Sequence, residues 1–273
     1  MGYEMLMVET TDNGVVVITL NDPSSLNAMG GEMMSELNEE LTRIEDDRDA
    51  RVVVLTGAGR GFSSGANMKA LVRDGVETVA GPRENEHYRA MIDPTESRVP
   101  NAMTRLRTMD TPSIAAVNGF AVGGGMGLAL CCDIRIASEE ARFAFTFTKR
   151  GLSPFEGSTF LLPRAIGLSR ALEMAYTGDM VDGKKAERIG LVSEVVPHDQ
   201  LMETTMELAN RIALSPPIAV ALDKYMMTRF MTMDFDEAMI WQRTAFNATA
   251  QTEDHKEGLR AFAEKRTPQF KGT

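Results

Sequence analysis

Two short stretches of this chain, ARVVVLTG (50–57) and SIAAVNG (113–119), are apolar at nearly every position and end in glycine. A strand whose two alternating faces are both apolar has to be covered on both sides, which favours a parallel sheet with other layers packed over it. GVVVITL (14–20) has the same character. Between it and ARVVVLTG, Met33, Leu37, Leu41 and Ile44 recur at helical spacing, with acids and Arg43 on the opposite face. The order strand, helix, strand points to an α/β fold. SIAAVNG leads through a glycine-rich turn into an apolar helix, Gly125 to Cys132, followed by strands in DIRIAS (133–138) and ARFAFTFT (141–148). Phe143, Phe145 and Phe147 alternate with smaller residues, so they are expected to share one buried face. From Ser158 onward the patterns are helical apart from LVSEVV (191–196), and Arg73 to Asn101, punctuated by Gly and Pro, reads as a long excursion.

With 273 residues, 43% of them hydrophobic, the chain can bury one large core or a core with a small appendage. Its net charge of -10 opposes both nucleic acid and anionic membrane surfaces. The N-terminal stretch carries Glu4, Glu9 and Asp12, has no basic region and no apolar run long enough to span a bilayer. Cys131 and Cys132 are adjacent within an apolar run, which suits packing in a reducing compartment and offers neither a disulfide framework nor metal-ligand spacing. A cytoplasmic protein is expected.

Several short motifs compete for the chemistry. The glycines at 123, 124, 125 and 127 fail the dinucleotide fingerprint, because Leu128 stands where its last glycine belongs. GDMVDGKK (178–185) resembles a phosphate loop until Lys185 replaces the required Ser or Thr. GFSSG (61–65) fits a nucleophile elbow at Ser63, with Asp133 and His198 or His255 in the right chain order, yet three residues separate it from its strand. The two glycine-containing turns make better sense together. Each follows a buried strand and leads towards a helix, in VVVLTGAGRGFSSGANMKAL and IAAVNGFAVGGGMGLAL. Such turns can aim backbone N–H groups and the positive end of a helix at one point, and two donors there make an oxyanion hole.

At this point the sequence resembles the enoyl-CoA hydratase/isomerase, or crotonase, superfamily. The stretches that carry the resemblance are LNDPSSLNAM, RVVVLTGAGRGFSSGANMKAL, TPSIAAVNGFAVGGGMGLALCCDIRIA, GLVSEVVP and the tail EGLRAFAEKRTPQFKG, which together run over nearly the whole chain. The resemblance implies a spiral of ββα units over residues 1–200 and a helical C-terminal region, 201–273, that packs trimers, often paired into hexamers. It implies a coenzyme A thioester as substrate, with no prosthetic group and no metal. By position, the two oxyanion donors fall on the backbone N–H groups of Ala66 and Gly124. Ser64, Ala66 and Met68 fall along the coenzyme A path, and Ser25 stands where a basic residue often precedes the Asn27–Ala28 pair. In the tail, Phe262 and Lys265 match positions that reach the nucleotide held by a neighbouring subunit, where a lysine charge suits phosphate.

The acids depart from the hydratase pattern. The two glutamates that handle water in hydratases would fall at Gly127 and Phe147, and neither residue is acidic. Double-bond isomerases of the superfamily often use one glutamate in a Pro-Glu-Gly-like turn, and Glu156 lies there, one place later than expected. One carboxylate suffices for a 1,3-proton shift, since the base that takes a proton can return it at the other carbon. Burial among Phe155, Phe160 and Leu161 is expected to raise its pKa. Isomerisation is therefore the expected reaction. The alternatives are hydration with atypical acids, another acyl-CoA hydrolase or lyase reaction, and a non-catalytic acyl-CoA-binding subunit. The excursion carries His87 and Tyr88 and is expected to pass near the acyl end of a bound thioester, either as a lid that admits a bulky acyl group or as a plain surface insertion.

Overall fold

The computed structural model of the chain describes residues 2–67, 101–154 and 156–273. The candidate lid residues His87 and Tyr88, the excursion from Arg73 to Pro100, Met68 and Phe155 lie outside the described residues.

The chain opens with an antiparallel hairpin, β1 (Leu6–Thr10) and β2 (Val15–Leu20), then α1 (Gly31–Asp46). β3 (Val52–Gly57) follows, running parallel to β2 with Val15 opposite Val52, and β4 (Gly61–Ser63) lies three residues beyond it. After α2 (Ala102–Thr108) the pattern repeats as β5 (Ser113–Val117), β6 (Phe120–Val122) and α3 (Gly124–Cys131). It repeats again as β7 (Ile134–Ser138), β8 (Arg142–Ala144), α4 (Ser158–Ile166) and α5 (Leu168–Thr177). β9 (Val181–Asp182), α6 (Gly183–Ile189) and β10 (Glu194–Val196) close the sheets, and four helices complete the chain: α7 (Leu201–Ala213), α8 (Pro217–Arg229), α9 (Phe235–Thr249) and α10 (Glu253–Glu264).

Each repeat contributes one strand to each of two sheets. The larger runs β1-β2-β3-β5-β7-β10, parallel from β2 onward, and the smaller runs β4-β6-β8-β9. This is the expected spiral of ββα units. Its parallel strands obey the period of two. Val53, Leu55, Ala115 and Val117 face the main core with Leu37, Leu41 and Ile44 of α1, whereas Val52, Val54, Ile114 and Ala116 face a second core closed by Leu201 and Ala209 of α7. The strand expected over ARFAFTFT stops at Ala144, whose carbonyl accepts from Gly123 N at 2.9 Å as the chain turns away. Phe143 and Phe145 stay buried, while Phe147 leaves the strand and is only half-buried, its ring set edge-on to Phe145 with centroids 5.3 Å apart.

One polar cluster ties the last helices to this core. Lys224 of α8, 8% exposed, donates to Leu106 O and Thr111 O at 3.0 Å and pairs with Asp133 at 2.8 Å. The same Asp133 oxygen accepts from Ser113 N and Oγ, at the start of β5. Removing one member of a buried pair leaves the other charge poorly compensated. Lys224→Met is expected to lower stability by about 3 kcal/mol, read from the urea midpoint, and an unchanged midpoint would remove this pair as the anchor of α8.

Candidate active site

The first glycine turn is held by two side chains that were not singled out from the sequence. Asn27 is fully buried; its Nδ2 donates to Ala58 O at 3.0 Å and Gly61 O at 2.7 Å, and its Oδ1 accepts from Asp22 N. Asn118 works from the other side, donating to Gly59 O at 2.9 Å and accepting from Gly57 N at 3.3 Å. A buried amide can meet donor and acceptor needs of a turn at once, which is why these positions suit asparagine. Their sequence signal, Asn before Ala28 and Asn before Gly119, was present but carries no period.

The two turns meet back to back. A Cβ built on Gly65 would fall 2.5 Å from Val122 O and 2.9 Å from Gly124 N, and one on Gly125 would fall 2.1 Å from Ser63 O. Packing therefore explains Gly65 and Gly125. It does not explain Gly124, where a Cβ would make ordinary contacts with the Met29 side chain from 3.4 Å outward. Gly124 is the first residue of α3, where N–H groups have no partner within the helix and the dipole is positive. Among the described residues, no backbone or side-chain acceptor receives the N–H of Gly124 or of Ala66. Ala66 is exposed, and its neighbour Gly65 is pinned by its carbonyl accepting from Met29 N at 2.7 Å.

A carboxylate stands one helical turn further along α3. Glu156 is 6% exposed, and its side chain lies over Gly127, where a Cβ would fall 2.2 Å from Glu156 Cγ. Its main-chain oxygen accepts from Cys131 Sγ at 3.7 Å. Burial first, and then the nearby Glu156 charge, push the Cys131 thiol up to about 12, so this thiol stays a neutral donor. The surroundings of Glu156 differ from those expected: Phe160 is 47% exposed, its ring covered by the Arg164 guanidinium at 3.5 Å from the centroid. The walls are α3 instead, because α4 packs against that helix. Phe147 approaches Gly123, its Cζ lying 4.0 Å from a Cβ built there, so an apolar ring borders the second turn.

The sequence profile of the enoyl-CoA hydratase/isomerase family matches residues 10–273. The chain belongs to that family. It is 37% identical over 257 residues to the short-chain-enoyl-CoA hydratase of Clostridium acetobutylicum, covering 92% of each protein. It is 34% identical to the crotonyl-CoA hydratase of Syntrophomonas wolfei over 99% of each. Among solved structures, the enoyl-CoA hydratase from Bacillus anthracis superposes with a TM-score of 0.87 at 36% identity, over 99% of this chain and all of the other.

Within this crotonase fold the other candidate residues fall into separate places. Ser25 and Ser64 are neighbours: Ser64 Oγ donates to Ser25 O at 2.9 Å, while Ser25 Oγ donates to Asp22 and accepts from Ala28 N. The Ser64 hydroxyl thus ties the 63–65 turn to the 22–28 turn, while the Ser25 hydroxyl closes the 22–28 turn on itself. Phe262 is 87% exposed, and Lys265 is exposed in a left-handed conformation at the end of α10; both lie far along the chain from the glycine turns. The residues that an elbow at Ser63 would need are dispersed, in line with the reading against it. Ser63 is buried and donates to Asn27 O, Asp133 is engaged by Lys224, and His198 lies beside Ser138. The phosphate-loop-like segment forms β9 and the start of α6, where Asp182 accepts from Lys185 N as an ordinary helix cap. Among the described residues no group of three His, Cys, Asp or Glu side chains is placed to hold a metal, and no helix is long and apolar enough to cross a membrane.

Proposed function

We propose that this family member is an enoyl-CoA isomerase in which Ala66 and Gly124 stabilise the thioester enolate and Glu156 carries the proton. The observation behind the reading is the placement of a buried carboxylate, Glu156, against Gly127, one turn beyond the Gly124 amide. A thioester oxygen held by the two N–H groups gains most when negative charge develops on it, which acidifies the carbon beside the carbonyl. Glu156 takes a proton from that α carbon of a 3-enoyl thioester. The electron pair moves through the dienolate, and the same carboxyl returns the proton at the γ carbon, leaving the conjugated 2-enoyl thioester. No water is added, no electrons leave and the thioester bond stays intact.

Hydration is the second reading, supported by the names of the relatives, which include short-chain-enoyl-CoA and crotonyl-CoA hydratases. It would require Glu156 to activate water without acids at 127 and 147. Coenzyme A is a substrate component in either case, approached by Ser25 and Ser64 and, from a neighbouring subunit, by Phe262 and Lys265. Assembly into a trimer fits the C-terminal helices: α8 and α9 bury no residue completely within one chain, and Met227, Phe235, Ile240 and Phe246 are exposed.

The test is to supply crotonyl-CoA and a 3-enoyl-CoA separately in deuterated buffer. Expected are a rise in conjugated-thioester absorbance from the 3-enoyl substrate, deuterium at the α or γ carbon, and little loss of absorbance from crotonyl-CoA. Loss of the crotonyl-CoA signal with an inert 3-enoyl-CoA would establish hydration instead, and absence of exchange from any acyl-CoA would leave a binding protein.

A further inference from the structure

We propose that Gly127 and Cys131 are positioning residues for Glu156, forming a two-point seat on α3 that sets its carboxylate relative to the Gly124 amide. This deepens, and rests on, the reading of Glu156 as the proton carrier.

The two contacts catch different parts of one residue. Gly127 receives the side chain: a Cβ there would fall 2.2 Å from Glu156 Cγ, 2.9 Å from Cδ and 2.8 Å from Oε1. The nearest of these atoms belongs to the stem of a buried side chain, not to a free tip, so even alanine must drive the carboxylate away. Cys131, four residues on and therefore on the same helical face, receives the main chain through its Sγ donor to Glu156 O at 3.7 Å. Because that thiol is held neutral by burial, its donor persists throughout the working pH range.

The helix that provides this seat is itself fixed at both ends. Ser63 O sits against Gly125 near its start, and Arg135 donates to Cys132 O at 2.9 Å at its finish. One rigid element thus carries both the Gly124 donor and the seat of the base, the arrangement that keeps reacting groups in fixed relation. A consequence follows for the choice of reaction. Any side chain at 127 and the present conformation of Glu156 exclude each other, so the missing acid at 127 is the condition for the acid at 156.

The experiment uses the purified full-length protein in its native assembly, with 3-enoyl-CoA turnover and thermal unfolding followed for Gly127→Ala, Cys131→Ala, Cys131→Ser and Glu156→Gln. Misplacing a reacting group by about 1 Å costs about 10²-fold. Gly127→Ala is expected to lose roughly that factor in kcat, with KM little changed. Cys131→Ala should lower kcat more than Cys131→Ser, which keeps a hydrogen-bond donor on this face of α3. In addition, Gly127→Ala should lower the thermal midpoint when Glu156 is present and not in a Glu156→Gly background, since the two changes are coupled through one contact. Wild-type kcat in Gly127→Ala, or a thermal cost that persists without the Glu156 side chain, would overturn the seat. Should Gly127→Ala fail to fold, the cysteine pair decides: equal, undiminished kcat in Cys131→Ala and Cys131→Ser overturns the proposal. Turnover retained in Glu156→Gln defeats the proton-carrier reading itself, whereas an inactive Glu156→Gln beside a fully active Gly127→Ala defeats only the seat.

Discussion

Glu156→Gln is expected to reduce 3-enoyl-CoA isomerisation by about 10³-fold, within the range lost when a positioned general base is removed, and to leave coenzyme A thioester binding within about twofold. The amide keeps the volume and the stem of the glutamate, so the side chain can still lie over Gly127 and the packing of α4 on α3 is preserved. What disappears is the ability to accept a proton from the α carbon. A factor of 10³ corresponds to about 4 kcal/mol of transition-state stabilisation, far more than a surface carboxylate could account for. Stopped turnover with retained binding, measured by kcat and by displacement of a coenzyme A thioester, supports the assignment. If the Gln variant keeps more than a tenth of the activity, Glu156 is a structural acid and the proton carrier lies elsewhere. Solvent deuterium gives the same answer independently, because exchange at the α carbon should stop together with turnover.

The parts of this molecule that were readable from sequence are those with a period or a composition of their own. β2, α1, β3 and β5 appear as expected, since strands covered on both faces must be apolar throughout and α1 shows a clean helical repeat. Of the second sheet only β8 was legible, within the strand expected over ARFAFTFT; β4 and β6 have three residues each, too few to display alternation, and lie inside the glycine turns. β1 escaped for a different reason: only Leu6 of its five residues is buried, so it carries the pattern of a solvent-facing edge strand.

The site divides in the same way. The two glycine turns were legible as a pair, and the geometry adds which glycine serves what. Gly125 is required by Ser63 O, whereas Gly124 has no neighbour that forbids a side chain. The seat of Glu156 on Gly127 could not be read, because it joins residues distant in sequence through a contact that exists only once α4 packs on α3. The roles of Asn27 and Asn118 were likewise not legible: a lone asparagine in a turn looks the same whether it faces water or satisfies three backbone groups.

The second large effect concerns the amide at 124, which substitution of a side chain cannot ordinarily remove. Proline can remove it here, because Gly124 is the first residue of α3, the helical position where proline is best tolerated. The preceding residue offers no obstacle: Gly123, at φ 54° and ψ -121°, is far from the helical ψ that a following proline disfavours. The added Cβ makes ordinary contacts, 3.4 Å from Met29 Sδ and 3.7 Å from Gly65 Cα. Gly124→Pro is therefore expected to fold, and to lose about 10²–10³ in kcat, the usual cost of deleting one oxyanion donor. Gly124→Ala is the matched control, adding a Cβ while keeping the N–H, and is expected to lose less than about tenfold. Equal losses in the two variants would mean that bulk at 124 matters and its N–H does not. The combination with Glu156→Gln separates the roles further. Enolate stabilisation and proton removal belong to one chemical step, so the double variant should fall well short of the product of the two single losses, as happens for groups that act as a unit.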